Sequence, residues 1–413
     1  MSASVGLTDY RRALTAPGAR GPVLFSLLGR MPIAMIGLAM LLYVRASTGS
    51  FAIAGLVSAA VLVGVAAGSV VQGRVIDRFG PTRPLLVVTA MFAVSVAAAV
   101  LGVELRLPTG VLMGMGLLTG FTEPAIGAAS RSTWSRLVPA GPLRQAALAY
   151  ESISMEVFFI LGPALAGVLL YAPWAGTGIV VGATAMVIGG VGFAGTQTVR
   201  AWGPAPAATV HPRGLGALGT PGMRTLALAA LGFGMVIGFV EVGVPAVTAA
   251  AGAPALSGVM LGLWSVSSVI FGVAYSTRPW PRPMHVRLPV LLATFAVLVP
   301  LLAVPATLWG LALALLVVGT MITPQATAHS ATIDTAAPAG THTEAFGWVI
   351  TAVTLGLAAG QSVSGQLVEH VSTDAAFYSA AVAGMGMAGL VWTRRHTLMP
   401  AHPVTRPLAR AAG

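Results

Sequence analysis

The chain contains no cysteine, no lysine and no asparagine, and only 8% of its 413 residues are charged. Without cysteine there is no disulfide, no thiolate nucleophile and no Cys-ligated metal. Without asparagine there is no N-glycosylation acceptor. A soluble domain carries about 25% charged residues, so this chain lacks the polar surface that would cover a water-soluble fold. Catalytic signatures are also missing. There is no Walker phosphate loop, which excludes direct ATP drive, and no H-E-x-x-H or Ser-His-Asp set stands out. GMGMAG (384–389) fits G-x-G-x-x-G but lies inside an apolar run with no preceding strand, so it reads as helix packing. No enzyme activity, metal or cofactor is expected. The first twenty residues are polar, unlike a cleaved signal peptide with its apolar core.

What is present is apolar length. Hydrophobic residues make up 56% of the chain, and the mean hydropathy is +0.88. A helix crossing a bilayer needs about 20 mostly apolar residues. Twelve such spans are predicted: 22–44, 51–72, 84–104, 108–130, 146–171, 175–195, 222–247, 255–276, 288–304, 306–327, 345–368 and 374–393. The runs are too long for the strands of a membrane barrel. The one long polar stretch between spans, 196–220, is rich in Pro, Gly and Ala and reads as a linker. The expected organisation is an N-terminal six-helix bundle (1–195), a cytoplasmic linker (196–220), a C-terminal six-helix bundle (221–393) and a cytoplasmic tail (394–413).

Arginine supplies every basic side chain, 22 against 11 acidic residues. A nucleic-acid surface would cluster them on one polar face, usually with stacking aromatics. Here they punctuate apolar runs, and loop by loop they alternate. The N-terminal tail, the 2–3, 4–5 and 8–9 loops, the central linker region and the C-terminal tail hold 19 of the 22. The opposite side has only Arg45 and Arg106, and Arg30 falls within the first span. The positive-inside rule makes the rich side cytoplasmic, with both termini inside the cell membrane.

The two halves echo each other at an offset of roughly 200 residues. GFTEP (120–124), VPAGPLRQA (138–146) and LGPALAG (161–167) recur as GTMITP (319–324), APAGTHTEA (337–345) and AGQSVSG (359–365). AIAGLVSAA (52–60) similarly matches ALSGVMLGL (255–263). A duplicated six-span unit places a site between the halves near the midplane. The expected fold is all-α and membrane-integral, with twelve transmembrane helices forming two pseudo-symmetric six-helix bundles.

Between spans 2 and 3 stands GRVIDRFGPTRP, with Gly73, Arg74, Asp77, Arg78, Gly80 and Arg83. This resembles the loop 2–3 signature of the major facilitator superfamily, G-x-x-x-D-R-x-G-R-[KR]. Gly73, Asp77, Arg78 and Gly80 match. Pro81 and Thr82 depart from it, and Arg83 can stand in as the basic residue. The second-half copy at 272–287 lacks the Asp. In such a loop Gly73 would let helices approach and Gly80 would permit a tight turn. Asp77 would latch one conformation through charge-assisted bonds. FILGPALAG, with Gly162, Pro163 and Gly167, resembles the Gly-Pro element in span 5 of drug and metabolite exporters of that superfamily, though Ala149 and Phe158 stand where the element favours Gly. The alternative is a Pro kink with small-residue helix packing. Span 4, GVLMGMGLLTG (110–120), has no Arg in its outer half, where proton-coupled members often carry one.

Ionisable groups within a membrane are costly and mark pathways or internal pairs. At 1.5 Å per residue, Arg30 and Glu156 lie roughly 12 Å and 15 Å from the cytoplasmic ends of their predicted spans, near mid-membrane. Glu156 is either a proton or cation site, with Arg30 as its partner or as an anion contact, or half of a structural ion pair. Glu123 and Glu151, nearer the cytoplasmic side, read as structural charges. Glu241 on span 7 reads as a coupling group, Gln325 as cavity lining, and His329 as a residue of the cytoplasmic mouth.

The resemblance implies a secondary transporter, functional as a monomer in the plasma membrane. It would export a small, largely apolar compound by alternating access, with protons as the coupling ion. Importers or uniporters of a small nutrient form the alternative within transporters. A non-transporting sensor or assembly factor on the same scaffold is the alternative of another class.

Overall fold

A computed structural model of the chain describes residues 7–139, 142–201, 216–276, 282–338 and 342–399. Among the described residues every regular element is helical. A short surface helix, α1 (Leu7–Leu14), precedes the first span, which is divided into α2 (Arg20–Arg30) and α3 (Ile33–Thr48). Then follow α4 (Phe51–Phe79), α5 (Thr82–Glu104), the divided pair α6 (Thr109–Phe121) and α7 (Ile126–Leu137), α8 (Pro142–Leu169), α9 (Thr177–Gly195) and the single turn α10 (Gln197–Arg200). The second half holds α11 (Pro221–Ala250), α12 (Leu256–Ser276), α13 (Met284–Leu298), the divided pair α14 (Leu308–Gly319) and α15 (Ile322–Ala336), α16 (His342–His370) and α17 (Thr373–Thr393). Much of the predicted linker, 202–215, and the tail from 400 onward lie outside the described residues.

Ten of these segments are long and apolar enough to cross a bilayer, and two shorter apolar helices, Ile153–Leu169 and Leu256–Gly272, complete the twelve predicted spans. Large apolar side chains such as Val94 (70% exposed) and Val382 (75%) point outward, where lipid and not water is the solvent.

Local chemistry sets the helix ends. Ser50, Thr220, Thr307 and Ser372 each cap a helix by accepting a backbone N–H three residues on, at 3.0–3.3 Å. Gly49 closes α3 and Gly80 closes α4, both at φ 77°, a conformation that glycine adopts without a Cβ clash. The breaks inside spans fall at prolines. Pro32 cannot donate to Leu28 and separates α2 from α3, while Pro124 pushes Glu123 out of helical geometry between α6 and α7. Gln72 of α4 braces that second break. Its amide donates to the carbonyls of Phe121 (3.1 Å) and Glu123 (2.8 Å), and its oxygen accepts from the Ala125 N–H (2.9 Å).

The helices sort into two bundles. α2–α9 pack among themselves around a core that includes Met35, Phe92 and Phe193. α11–α17 do so around Phe233, Phe295 and Phe377. The halves meet chiefly along two seams, α4 against α16 and α8 against α12. The fold is therefore the expected all-α membrane architecture of two six-helix bundles.

Candidate functional site

Both seams close where backbone meets backbone. On the first, a Cβ on Gly55 would sit 2.6 Å from the Gln361 carbonyl oxygen, and one on Gly365 would sit 2.6 Å from that of Phe51. On the second, a Cβ on Gly167 would lie 2.5 Å from the Ala255 oxygen, and one on Gly258 would overlap the Pro163 carbonyl. These four glycines occupy matching places in the internal repeat, so the seams are pseudo-symmetric copies. They lie towards the arginine-poor end, where α4 and α12 begin and α8 and α16 finish. Within the halves, Gly120 and Gly319 repeat the same device, pressing α6 onto the Val61 carbonyl and α14 onto that of Trp264. Pro163 lacks an N–H for the Phe159 carbonyl, and Ser265 of α12 approaches that oxygen across the seam at 3.4 Å.

Beside the first seam sits Glu241. It is half-buried on α11, and its carboxylate accepts from the Gln361 amide at 2.7 Å. Gln361 is 4% exposed, and its own oxygen has no hydrogen-bond partner. Ser58, 1% exposed, also has an unpartnered hydroxyl, and it lies one turn along α4 from Gly55. A buried acceptor without a donor costs about 1–3 kcal/mol. The junction of the halves therefore holds a carboxylate and incompletely satisfied polar groups about 14 Å along α11 from its arginine-poor end.

Arg30 is 1% exposed and is bound to Glu151. One guanidinium nitrogen meets a carboxylate oxygen of Glu151, and the other donates to its backbone carbonyl at 3.0 Å. The second carboxylate oxygen accepts from Ser130 (2.7 Å) and from the Trp134 indole (2.8 Å). Phe158 lies 5.8 Å from the guanidinium. This ties α2, α7 and α8 together. α8 begins at Pro142, four residues before the expected start of span 5. At 1.5 Å per residue Glu151 then lies about 14 Å along its helix, Arg30 about 15 Å along its own, and the Glu156 backbone about 21 Å along α8. The Glu156 side chain falls outside the described residues.

Gln325 is fully buried and His329 is 2% exposed. They approach each other at 3.5 Å, and the His329 ring packs 5.5 Å from Phe233 inside the C-terminal half. Glu123 is half-buried at the α6–α7 break. The GRVIDRF segment is not a loop: it forms the last turns of α4, with the turn confined to Gly80–Pro81. Gly73 has nothing within 4 Å of a notional Cβ, so it mediates no close approach here. Arg83 is exposed at the start of α5, and the side chains of Arg74, Asp77 and Arg78 lie outside the described residues. Gly162 presses α8 onto Ala34 and Met35 of α3.

Sequence reasoning missed Gln72, Gln361 and the Ser130–Trp134 pair. For the two glutamines the signal was available, since an uncharged amide amid an apolar span also needs a partner. For Ser130 and Trp134 only the tertiary contact shows the role.

No curated protein matches the chain. Among solved structures, the nucleoside transporter NupG superimposes with a TM-score of 0.69 at 13% identity, over 92% of this chain and 99% of that one. The peptide transporter POT in complex with alafosfalin gives 0.69 at 14%, over 96% and 100%. The human organic anion transporter MFSD10 gives 0.60 at 16%, over 93% and 100%. Such low identities establish a shared fold. The family model described as Major Facilitator Superfamily matches residues 23–341, which takes in most of both bundles and the GRVIDRFG segment. Two helical bundles joined along paired glycine seams, together with that match, mean that the chain belongs to the Major Facilitator Superfamily.

Proposed function

We propose that this protein is a secondary transporter that exports a small, largely apolar organic compound by alternating access, with protons as the coupling ion. The observation that carries the proposal is Glu241, a carboxylate held by Gln361 where the two bundles meet. A charge there is costly in lipid, and its neutralisation by a proton would change the contact across α11 and α16 that the seam depends on. The Gly162–Pro163–Gly167 element supports export. Few charged side chains in the spans support an apolar cargo. The orientation follows from the arginine distribution: the arginine-rich end faces the cytoplasm, and the seams closed at the other end correspond to a state facing inward. The protein acts as a monomer in the plasma membrane.

The structural neighbours carry the names of nucleoside, peptide and organic anion transporters, which favours uptake of a polar metabolite as the second reading. One experiment separates the two. Reconstituted protein is given an imposed proton gradient and a panel of apolar and polar compounds. Uphill movement of an apolar compound against the proton flow, lost in Glu241→Gln while downhill exchange persists, is the expected result. Uphill uptake of a nucleoside or peptide would replace export with import. Equal uphill transport in Glu241→Gln would remove Glu241 from coupling. A chain that moves nothing in the panel would favour the sensor or assembly role.

A further inference from the structure

The two seams are copies in their glycines but not in their polar chemistry. At the arginine-poor end of the α4–α16 seam, the Glu369 carboxylate accepts from the Ser50 hydroxyl (2.8 Å) and from the Ala52 backbone N–H (3.1 Å). Ser50 at the same time caps α4 by accepting from the Ile53 N–H at 3.1 Å. A side chain of the C-terminal half thus occupies the N-terminus of a 29-residue helix in the N-terminal half. That is where unpaired N–H groups and the helix dipole favour negative charge. Among the described residues the repeat offers no such bond on the other seam. Counting from the matched glycines, Tyr171 stands in the place of Glu369, and Ala253 in the place of Ser50. Tyr171 is 70% exposed, and the α8–α12 seam closes through Gly167, Gly258 and the Pro163 carbonyl.

From this broken symmetry we infer that Glu369 is the latch that holds the arginine-poor end shut. The α4–α16 seam carries this polar lock, and the α8–α12 seam closes the same end by packing alone. The inference rests on the alternating-access proposal, and it adds which contact gates that end. Location suits the role. Glu369 is exposed at the water-facing end of α16, so water can replace its protein donors when the seam opens. A fully buried bond of this kind would resist release. Gly365 lies against Phe51 beside the latch, and Phe51 stacks under the Arg45 guanidinium at 4.7 Å.

The absence of cysteine allows a direct test in the full chain. Cysteines replace Ala46 on α3 and Trp309 on α14, both exposed at that end in opposite halves. Spin labels on them report the separation of the bundles. The parent should show one dominant short distance. Glu369→Gln should raise the longer-distance population about fivefold or more, the scale of one charge–helix-terminus interaction plus a hydrogen bond. Ser50→Ala should raise it less, because the Ala52 N–H remains. Asp374→Asn, a neighbouring carboxylate on α17 outside the seam, should leave it unchanged. Parent-like distances in Glu369→Gln would overturn the latch. Should Glu369 variants not fold, a parent-like distribution in Ser50→Ala overturns it instead. Because distances are read without any substrate, a shifted population in a protein that transports nothing leaves the latch standing and removes the transport proposal. Normal transport with unshifted distances does the reverse.

Discussion

Removing the Glu151 charge should strand a guanidinium that has almost no access to water. Arg30 is 1% exposed, and Glu151 is its only salt-bridge partner among the described residues. Breaking a buried pair by removing one member typically costs about 3–5 kcal/mol, because the remaining charge stays desolvated. For a unit of about 150–250 residues, each kcal/mol moves the melting midpoint by about 2–4 °C. Glu151→Gln should therefore lower the midpoint by about 6–20 °C, using these scales. Arg30→Gln should do the same, though Ser130 and Trp134 still satisfy one carboxylate oxygen in that variant. The double variant should recover most of the loss. The amide oxygen that Glu151→Gln introduces can still accept from the Ser130 hydroxyl and the Trp134 indole, and no charge is left buried. The assay is thermal unfolding of purified protein in detergent, with folded yield by size exclusion. Wild-type midpoints in both single variants would refute the reasoning. So would a double variant whose loss equals the sum of the singles, since contacting partners must show a coupling energy.

Gln72→Ala removes three hydrogen bonds across the α6–α7 break and should cost about 1.5–4.5 kcal/mol, with faster amide exchange around residues 121–126; unchanged exchange there would show that the break needs no brace. Gly120→Ala puts a methyl group into the Val61 carbonyl, and overpacking of this kind costs about 1–3 kcal/mol or more, whereas Gly73→Ala enters open space and should gain about 0.5–1 kcal/mol from lower chain entropy; melting midpoints of the two variants that move together would contradict the packing. Asp77→Asn should depress transport while leaving folded yield intact, and wild-type flux in that variant would reduce GRVIDRFG to a signal of topology.

The fold was legible in the sequence because lipid leaves a chain few choices. Every backbone polar group must be satisfied inside its own segment, so apolar run length reports helices directly. The repeat was legible for a related reason. Gly55, Gly120, Gly162 and Gly167, with Gly258, Gly319, Gly360 and Gly365, stand at crossings where only a missing side chain fits, and they recur in the same order in both halves. Pairing was not legible in this way. Hydropathy placed the start of span 5 at residue 146, but four amphipathic residues before it are also helical, and only the packed helices show that Glu151 meets Arg30. The same limit applies to His329, whose burial against Phe233 depends on how α15 leans on α11. It applies again to Glu369, which looks like an ordinary charge at a span's end until α4 brings its free N–H groups alongside. The apolar pattern determined by itself that the chain forms twelve membrane helices in two related sets. Which polar groups meet depends on azimuth and depth to within a single turn, and only helix-on-helix packing sets those.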